Sequence, residues 1–368
     1  MSAKPDIDVF SPYQLGPLTL SNRMVMAPLT RNRAAEGNVP TLLMAKYYAQ
    51  RASAGLIIAE ATQVSLEGQG YERTPGIHSD AQASGWKNVT QAVHAAGGHI
   101  FLQLWHVGRI SHTAFQPGNR APLAPSAIRA KAKTFVAGQF IDVSEPRALE
   151  LSEIPGIVDQ YRSAARRAME AGFDGVEIHS ANGYLLDQFL RDKTNHRTDQ
   201  YGGPIANRAR LLFEVVEAVT QEAGAERTGV RLSPVTTFGD IADSDPQALF
   251  NYVVSELNRF SPVYIHVIEG ETGAREKSLP FDYGELRRRF QGTYIANNEY
   301  SLQMSLQELE SGRADLICMG RPFISNPDLV ERFRRGAPLN QLDPRTLYGG
   351  GERGYTDYPF LESDSRSA

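Results

Sequence analysis

From residue 24 onward, short runs of apolar and β-branched residues alternate with longer segments whose apolar positions recur every three or four residues. The first pattern marks strands and the second amphipathic helices, so the alternation predicts parallel strands joined by crossover helices. Eight such pairs are legible, with strands expected over 23–27, 56–60, 99–104, 175–179, 229–232, 263–267, 293–296 and 315–319. Each is nearly continuous in apolar residues, as expected of a strand covered on both faces. Among the helices, Ile154, Ile157, Val158, Tyr161, Ala164, Ala165, Ala168 and Met169 form one stripe that ends at Ala171-Gly172, and Leu211, Leu212, Val215, Val216 and Val219 form another.

Eight repeats could close as a (β/α)8 barrel or spread as an open doubly wound sheet. The open form usually carries a glycine-rich turn after its first strand, and Met26-Ala27-Pro28-Leu29-Thr30 has none. The fold class expected is therefore α/β, a single TIM barrel over residues 1–362, with 363–368 as a frayed tail. Two stretches break the rhythm: 107–150, with a hairpin expected near 134–143, and 335–362, rich in Gly, Pro and Tyr. Both read as long surface loops or lids, where function concentrates.

Composition narrows the function classes. With 41% apolar and 22% charged residues the chain has material for a large core and a wetted surface. Its net charge of -4 comes from interspersed charges, which leaves no broad positive field for nucleic acid or an anionic membrane. No apolar run approaches the roughly 18 residues of a membrane span, and the first residues lack a signal-peptide pattern. A cytoplasmic enzyme with a small-molecule partner, monomer or homodimer, is expected. Cys318 is the only cysteine, which excludes an intrachain disulfide and a four-thiolate cluster.

Barrel enzymes build their sites at the carboxyl ends of the strands. The polar residues at those ends are Thr30, Glu60, Thr62, Gln103, Trp105, His106, His179, Asn182, Tyr184, Arg231, Ser233, His266, Asn297, Asn298, Gly320 and Arg321. Gly320-Arg321 follows the eighth strand, where a phosphate commonly sits; a structural turn with a surface salt bridge is the competing reading. If the chain turns helical after the fourth strand, His179 and Asn182 lie one turn apart and offer two neutral donors to an oxygen gaining negative charge. Tyr184 would then supply a proton. A satisfied strand-end histidine beside a packed tyrosine is the plainer alternative, and Gln103 and Arg231 are as often structural partners as cofactor ligands.

In order along the chain, Asn22 to Arg31, Phe101 to Arg109, His179 to Leu186, Arg197 to Gly203, Asn207-Arg208 and Tyr348 to Gly350 resemble the old yellow enzyme family. The likeness is to the branch of pentaerythritol tetranitrate reductase, N-ethylmaleimide reductase and morphinone reductase, over about Val9 to Pro359. The resemblance implies a noncovalent FMN bordered by Ala27, Pro28, Leu29, Thr30, Ala61, Gln103 and Arg231, with its phosphate near Asn298, Gly320 and Arg321. A cation such as Arg231 would stabilise the reduced flavin. It also implies that NADPH or NADH delivers hydride first and leaves. An activated alkene such as an α,β-unsaturated carbonyl, a maleimide or a nitroalkene then enters by a ping-pong cycle, with nitrate esters as an additional class. His179 and Asn182 would hold the substrate oxygen and Tyr184 would protonate the α-carbon. Tyr71, Trp105 and Tyr348 would wall the substrate site.

One segment departs from that family. Where it usually has glycine after the seventh strand, this chain reads Ala296-Asn297-Asn298-Glu299-Tyr300. A carboxylate beside a phosphate is unfavourable unless Glu299 points outward, while a left-handed asparagine partly replaces glycine. FMN affinity is the property this bears on. Two other readings are a flavin- or phosphate-binding barrel without turnover, and a metal-dependent barrel hydrolase using His106, His179 and His266; the sequence lacks the ligand spacing the latter needs.

Overall fold

In the computed structural model, which describes residues 7–275 and 279–362, the chain opens with a hairpin, β1 (Tyr13–Leu15) and β2 (Leu18–Leu20). Strands β3 (Met24–Met26), β4 (Leu56–Gln63) and β5 (Ile100–Trp105) follow, with α1 (Leu42–Ala49) and α2 (Asp80–Ala95) between them. An excursion then makes β6 (Leu123–Ala124), the antiparallel hairpin β7 (Lys133–Val136) and β8 (Gln139–Asp142), and β9 (Arg147–Ala148). The rhythm resumes with α3 (Ile154–Glu170) and β10 (Gly175–Ser180). After α4 (Leu185–Leu190), α5 (Ile205–Arg208) and α6 (Arg210–Ala223) come β11 (Thr228–Leu232), α7 (Pro246–Leu257), β12 (Tyr264–Ile268), α8 (Tyr283–Arg289), β13 (Thr293–Asn297), α9 (Leu302–Glu310) and β14 (Leu316–Met319), then α10 (Arg321–Ser325) and α11 (Leu329–Arg335). Strands β3, β4, β5 and β10 to β14 pair in parallel and close as one barrel.

Alternation along each strand divides the apolar residues into two cores. Ile57, Ala59, Leu102, Val176, Ile178, Val230, Ile265 and Val267 face the helices. Leu56, Ile58, Phe101, Tyr264, Ile295, Leu316 and Cys318 fill the barrel interior with Leu15 and Leu20 of the hairpin, which plugs the amino-terminal end. The stripe expected on α3 is its buried face, where Ile154, Ile157, Tyr161, Ala164, Ala165 and Ala168 meet the sheet. Burying each large aliphatic stabilises the fold by about 1.5–3 kcal/mol. All eight expected strands are present, β4 extending to Gln63 beyond the expected end. The β1–β2 hairpin was not anticipated, although Gly16-Pro17 between apolar pairs is a turn signal.

Both interruptions serve the mouth of the barrel. Thr134 Oγ1 donates to Gly70 O at 2.6 Å, which anchors the expected hairpin beside Tyr71. The carboxyl-terminal stretch is pinned rather than loose: the buried Arg31 donates to Leu347 O and Gly354 O, both at 2.8 Å, and Gly349 N donates back to Arg31 O at 2.9 Å. Tyr47 and Tyr355 stack at 4.0 Å over the same junction. The tail expected at 363–368 lies outside the described residues. Among the described residues no helix is long and apolar enough to cross a membrane.

Candidate active site

The interior changes from apolar to polar toward the carboxyl ends of the strands. Strand register sets Gln103 beside Glu177, His179 beside Arg231, and Arg231 beside His266. All five are buried. Arg231 donates to Asn297 Oδ1 at 3.0 Å, while its Nε has no hydrogen-bond partner among the described residues. His179 Nδ1 and Trp105 Nε1 are likewise buried and unpartnered. Such groups are costly unless a ligand satisfies them, so the floor is suited to receive a polar group.

Directly after β10 the chain does not turn helical, so the condition that would set His179 and Asn182 one helical turn apart is not met. Asn182 and Gly183 take positive φ of 56° and 71°, and α4 starts only at Leu185. Gly183 is required here, because a Cβ would meet Phe238 O at 2.6 Å as well as straining the backbone. Asn182 tolerates the left-handed conformation better than most residues. The turn is locked from below: Gly183 N donates to Asp187 Oδ2 at 3.0 Å, and Asp187 pairs with Arg191 at 2.7 Å, both fully buried. Arg191 donates onward to Ser233 O and Pro234 O, and Ser233 Oγ accepts from Asn182 N at 2.8 Å. Asn182 Oδ1 accepts from Thr272 Oγ1 at 2.9 Å, which leaves the carboxamide NH2 as the free donor.

His179 is neutral: burial, then the charges of Arg231 and His266, push its pKa well below the ordinary histidine value. Tyr184 stands with its ring 5.1 Å from that of His179 and 5.0 Å from that of Trp105. Burial first, and Tyr71 second, raise its phenol well above the ordinary tyrosine value, so it keeps its proton. Tyr71 stacks on Trp105 at 5.7 Å, and its hydroxyl lies 3.3 Å from that of Tyr184. Ala61 joins the same cluster because the β4–β5 register shifts between Ala59 and Thr62. Tyr348 is 69% exposed at the rim.

At the far edge, Ala27 N donates to Met319 O at 2.9 Å and brings the end of β3 beside Gly320. Pro28, Leu29 and Thr30 continue from it as a half-buried run. Asn298 is buried at φ 121°, its amide NH2 donating to Glu269 O and Glu271 O at 2.8 Å each. Glu299 sits at φ 53° with its side chain outward, paired with Arg321 at 3.0 Å. Arg321 is thus in the surface ion pair that was its competing reading, while the neighbouring backbone amides remain available to an anion.

Sequence reasoning brought together most of this set and missed its supports. Glu60, expected at a strand end but inside β4, is turned away from the mouth: its carboxylate accepts from Tyr48 Oη at 3.1 Å and from Arg31 N at 3.3 Å. Burial raises it to about 7. Thr272, Glu177 and Tyr264 carry no motif that marks them, since their role depends on neighbouring strands, whereas Asn297, one of the strand-end residues, proves to accept from Arg231. Among the described residues no three His, Cys, Asp or Glu side chains are grouped to hold a metal.

A family model described as the NADH:flavin oxidoreductase / NADH oxidase family covers residues 8–340. The chain is 47% identical to 12-oxophytodienoate reductase 1 of Oryza sativa subsp. japonica over 98% of its own length and 95% of that protein's. To 12-oxophytodienoate reductase 2 of Arabidopsis thaliana it is 44% identical, over 98% of each. Among solved structures, morphinone reductase in complex with tetrahydroNAD superposes with a TM-score of 0.93 at 50% identity, over 98% of this chain and 99% of that one. The old yellow enzyme homologue of Zymomonas mobilis gives 0.93 at 46%, over 96% and 100%. With the barrel fold and its relatives in agreement along nearly its whole length, the chain belongs to the old yellow enzyme family of FMN-dependent NADH:flavin oxidoreductases.

Proposed function

We propose that the protein reduces the carbon–carbon double bond of alkenes activated by a carbonyl or nitro group, with NADPH or NADH as donor, in a ping-pong cycle. Gln103 and Arg231 would hold FMN, which when bound would supply the hydride transfer between the nicotinamide and the β-carbon of the alkene. The chain's own residues do the rest. Ala27, Pro28, Leu29, Thr30 and Ala61 would border its ring, and the amides near Asn298, Gly320 and Arg321 would hold its phosphate. His179 and the Asn182 NH2 group donate to the substrate oxygen and so polarise the double bond. Tyr184 transfers its phenolic proton to the α-carbon. Trp105, Tyr71 and Tyr348 shape the space above and exclude water.

The observation that carries this reading is a neutral His179, its Nδ1 without a partner among the described residues, beside a protonated Tyr184 and next to Arg231 in the strand register. Relatives named for 12-oxophytodienoate and morphinone, both oxo compounds by name, agree with it. The deciding experiment is anaerobic: the purified yellow protein bleaches with NADPH or NADH and is reoxidised by enones, maleimides or nitroalkenes, with nitrate esters tested in the same series. A colourless protein, or a reduced one that no alkene reoxidises, contradicts the proposal.

Two substitutions probe the supports. Glu299→Gly removes a side chain from a left-handed position and a negative charge from the phosphate end, against the loss of an exposed ion pair worth little. FMN is expected to bind about three- to tenfold tighter, read by quenching of flavin fluorescence; weaker binding would show that the carboxylate assists. Thr272→Val frees the Asn182 carboxamide to rotate. KM for enones is expected to rise by roughly fivefold, the loss of about 1 kcal/mol from one hydrogen bond, with reduction by nicotinamide unaltered.

A further inference from the structure

Below Gln103 and Arg231 lies a buried acid that the reaction as described does not use. Glu177 is fully buried, and its carboxylate accepts from three side chains: Gln103 Nε2 at 2.7 Å, Tyr264 Oη at 3.0 Å and His266 Nδ1 at 2.8 Å. These donors come from two other strands, Gln103 from β5 and both Tyr264 and His266 from β12, and the arrangement depends on Gly229 of β11, which lies beside Glu177 in register. A Cβ at Gly229 would fall 2.1 Å from the Tyr264 ring, so only glycine lets that ring cross from β12 to reach β10. A strand glycine whose place is taken by a neighbour's phenol marks a deliberate close approach.

Three consequences follow for what sits above. Because Glu177 can only accept, Gln103 must present its NH2 downward, which leaves Gln103 Oε1 as the group offered to the site. Because Glu177 lies in the same buried layer as Arg231, its charge offsets the guanidinium that faces the mouth. And because burial disfavours the charged imidazole, His266 is pushed below its ordinary value in spite of the nearby Glu177. Burial alone would push the Glu177 carboxyl up, but His266, Arg231 and Gln103 together hold it below the usual carboxylate range.

We propose that Glu177 is a positioning residue that fixes the Gln103 carboxamide as an acceptor and, by offsetting Arg231, keeps the flavin potential lower than Arg231 alone would set it. The proposal rests on FMN lying over Gln103 and Arg231. Glu177→Gln keeps an oxygen to accept from Gln103 and removes the charge. The reduced cofactor should then be held roughly tenfold more tightly relative to the oxidised one, about 30 mV more positive for a two-electron couple. Glu177→Asp, which restores the charge, should return the potential toward that of the parent protein. Tyr264→Phe removes a donor that screens the carboxylate and should move the potential the other way, downward. Spectroelectrochemical titration of the three variants reads these shifts, which a merely structural role would not produce with opposite signs. An unchanged or lowered potential in Glu177→Gln overturns the inference. Should that variant not fold, an unchanged or raised potential in Tyr264→Phe does so. A parent protein without FMN would instead contradict the proposed function itself.

Discussion

Phenylalanine at position 184 is expected to slow reoxidation by alkenes roughly 10²- to 10⁴-fold, the usual contribution of a positioned proton donor, while bleaching by NADPH or NADH proceeds at close to its normal rate. The substitution is conservative in shape: the ring keeps its edge contacts with Trp105 and His179 and loses only the hydroxyl, with its 3.3 Å approach to Tyr71. What disappears is a proton that the surroundings hold firmly until a strongly basic carbon is generated beside it. Since hydride delivery by the nicotinamide needs no proton from Tyr184, the two half-reactions should separate in stopped-flow traces. Equal slowing of both would mean that Tyr184 shapes the site instead of donating to the substrate.

Removing His179 should cost about as much by a different route. Truncation to alanine deletes one of two donors to the substrate oxygen, and the loss of such a donor typically costs roughly 10²- to 10³-fold in turnover. Here the effect should also appear without turnover, as loss of the charge-transfer band that a phenol produces over a flavin, with Asn182→Ala weakening the same titration. Because His179 is held neutral and Tyr184 protonated, the alkene half-reaction in the parent protein should vary little between about pH 6 and 9. A phenol titration unchanged in both variants would return His179 and Asn182 to a structural role, and a steep loss of rate near neutral pH would contradict the assigned protonation states.

How far the chain can be read without coordinates depends on the range of the interactions involved. The strands from Met24 to Met319 were legible because hydrophobic period is a local property, set by which side of a strand or helix each residue occupies. Segment boundaries shifted by a few residues where hydrogen bonding to a neighbouring strand decided the end, as at β4. The order of polar residues after those strands was equally legible, and with it the candidate set of His179, Asn182, Tyr184, Gln103 and Arg231.

The conformation of that set was not. The spacing of 179–184 left a helical turn open, yet Asn182 and Gly183 are left-handed because the buried Asp187–Arg191 pair and Ser233, from outside the turn, dictate its course. Glu60 and Glu177 look alike as acids in apolar strands, but one turns outward to Tyr48 and the other supports Gln103. Pattern and composition therefore settled the barrel, the order of its elements and the kind of chemistry its residues carry, because these follow from periodicity and from side-chain type. Folding alone settled which donors remain unpaired, which acid lies under the floor and where Glu299 points, because each depends on partners brought together by barrel closure from strands distant in the chain.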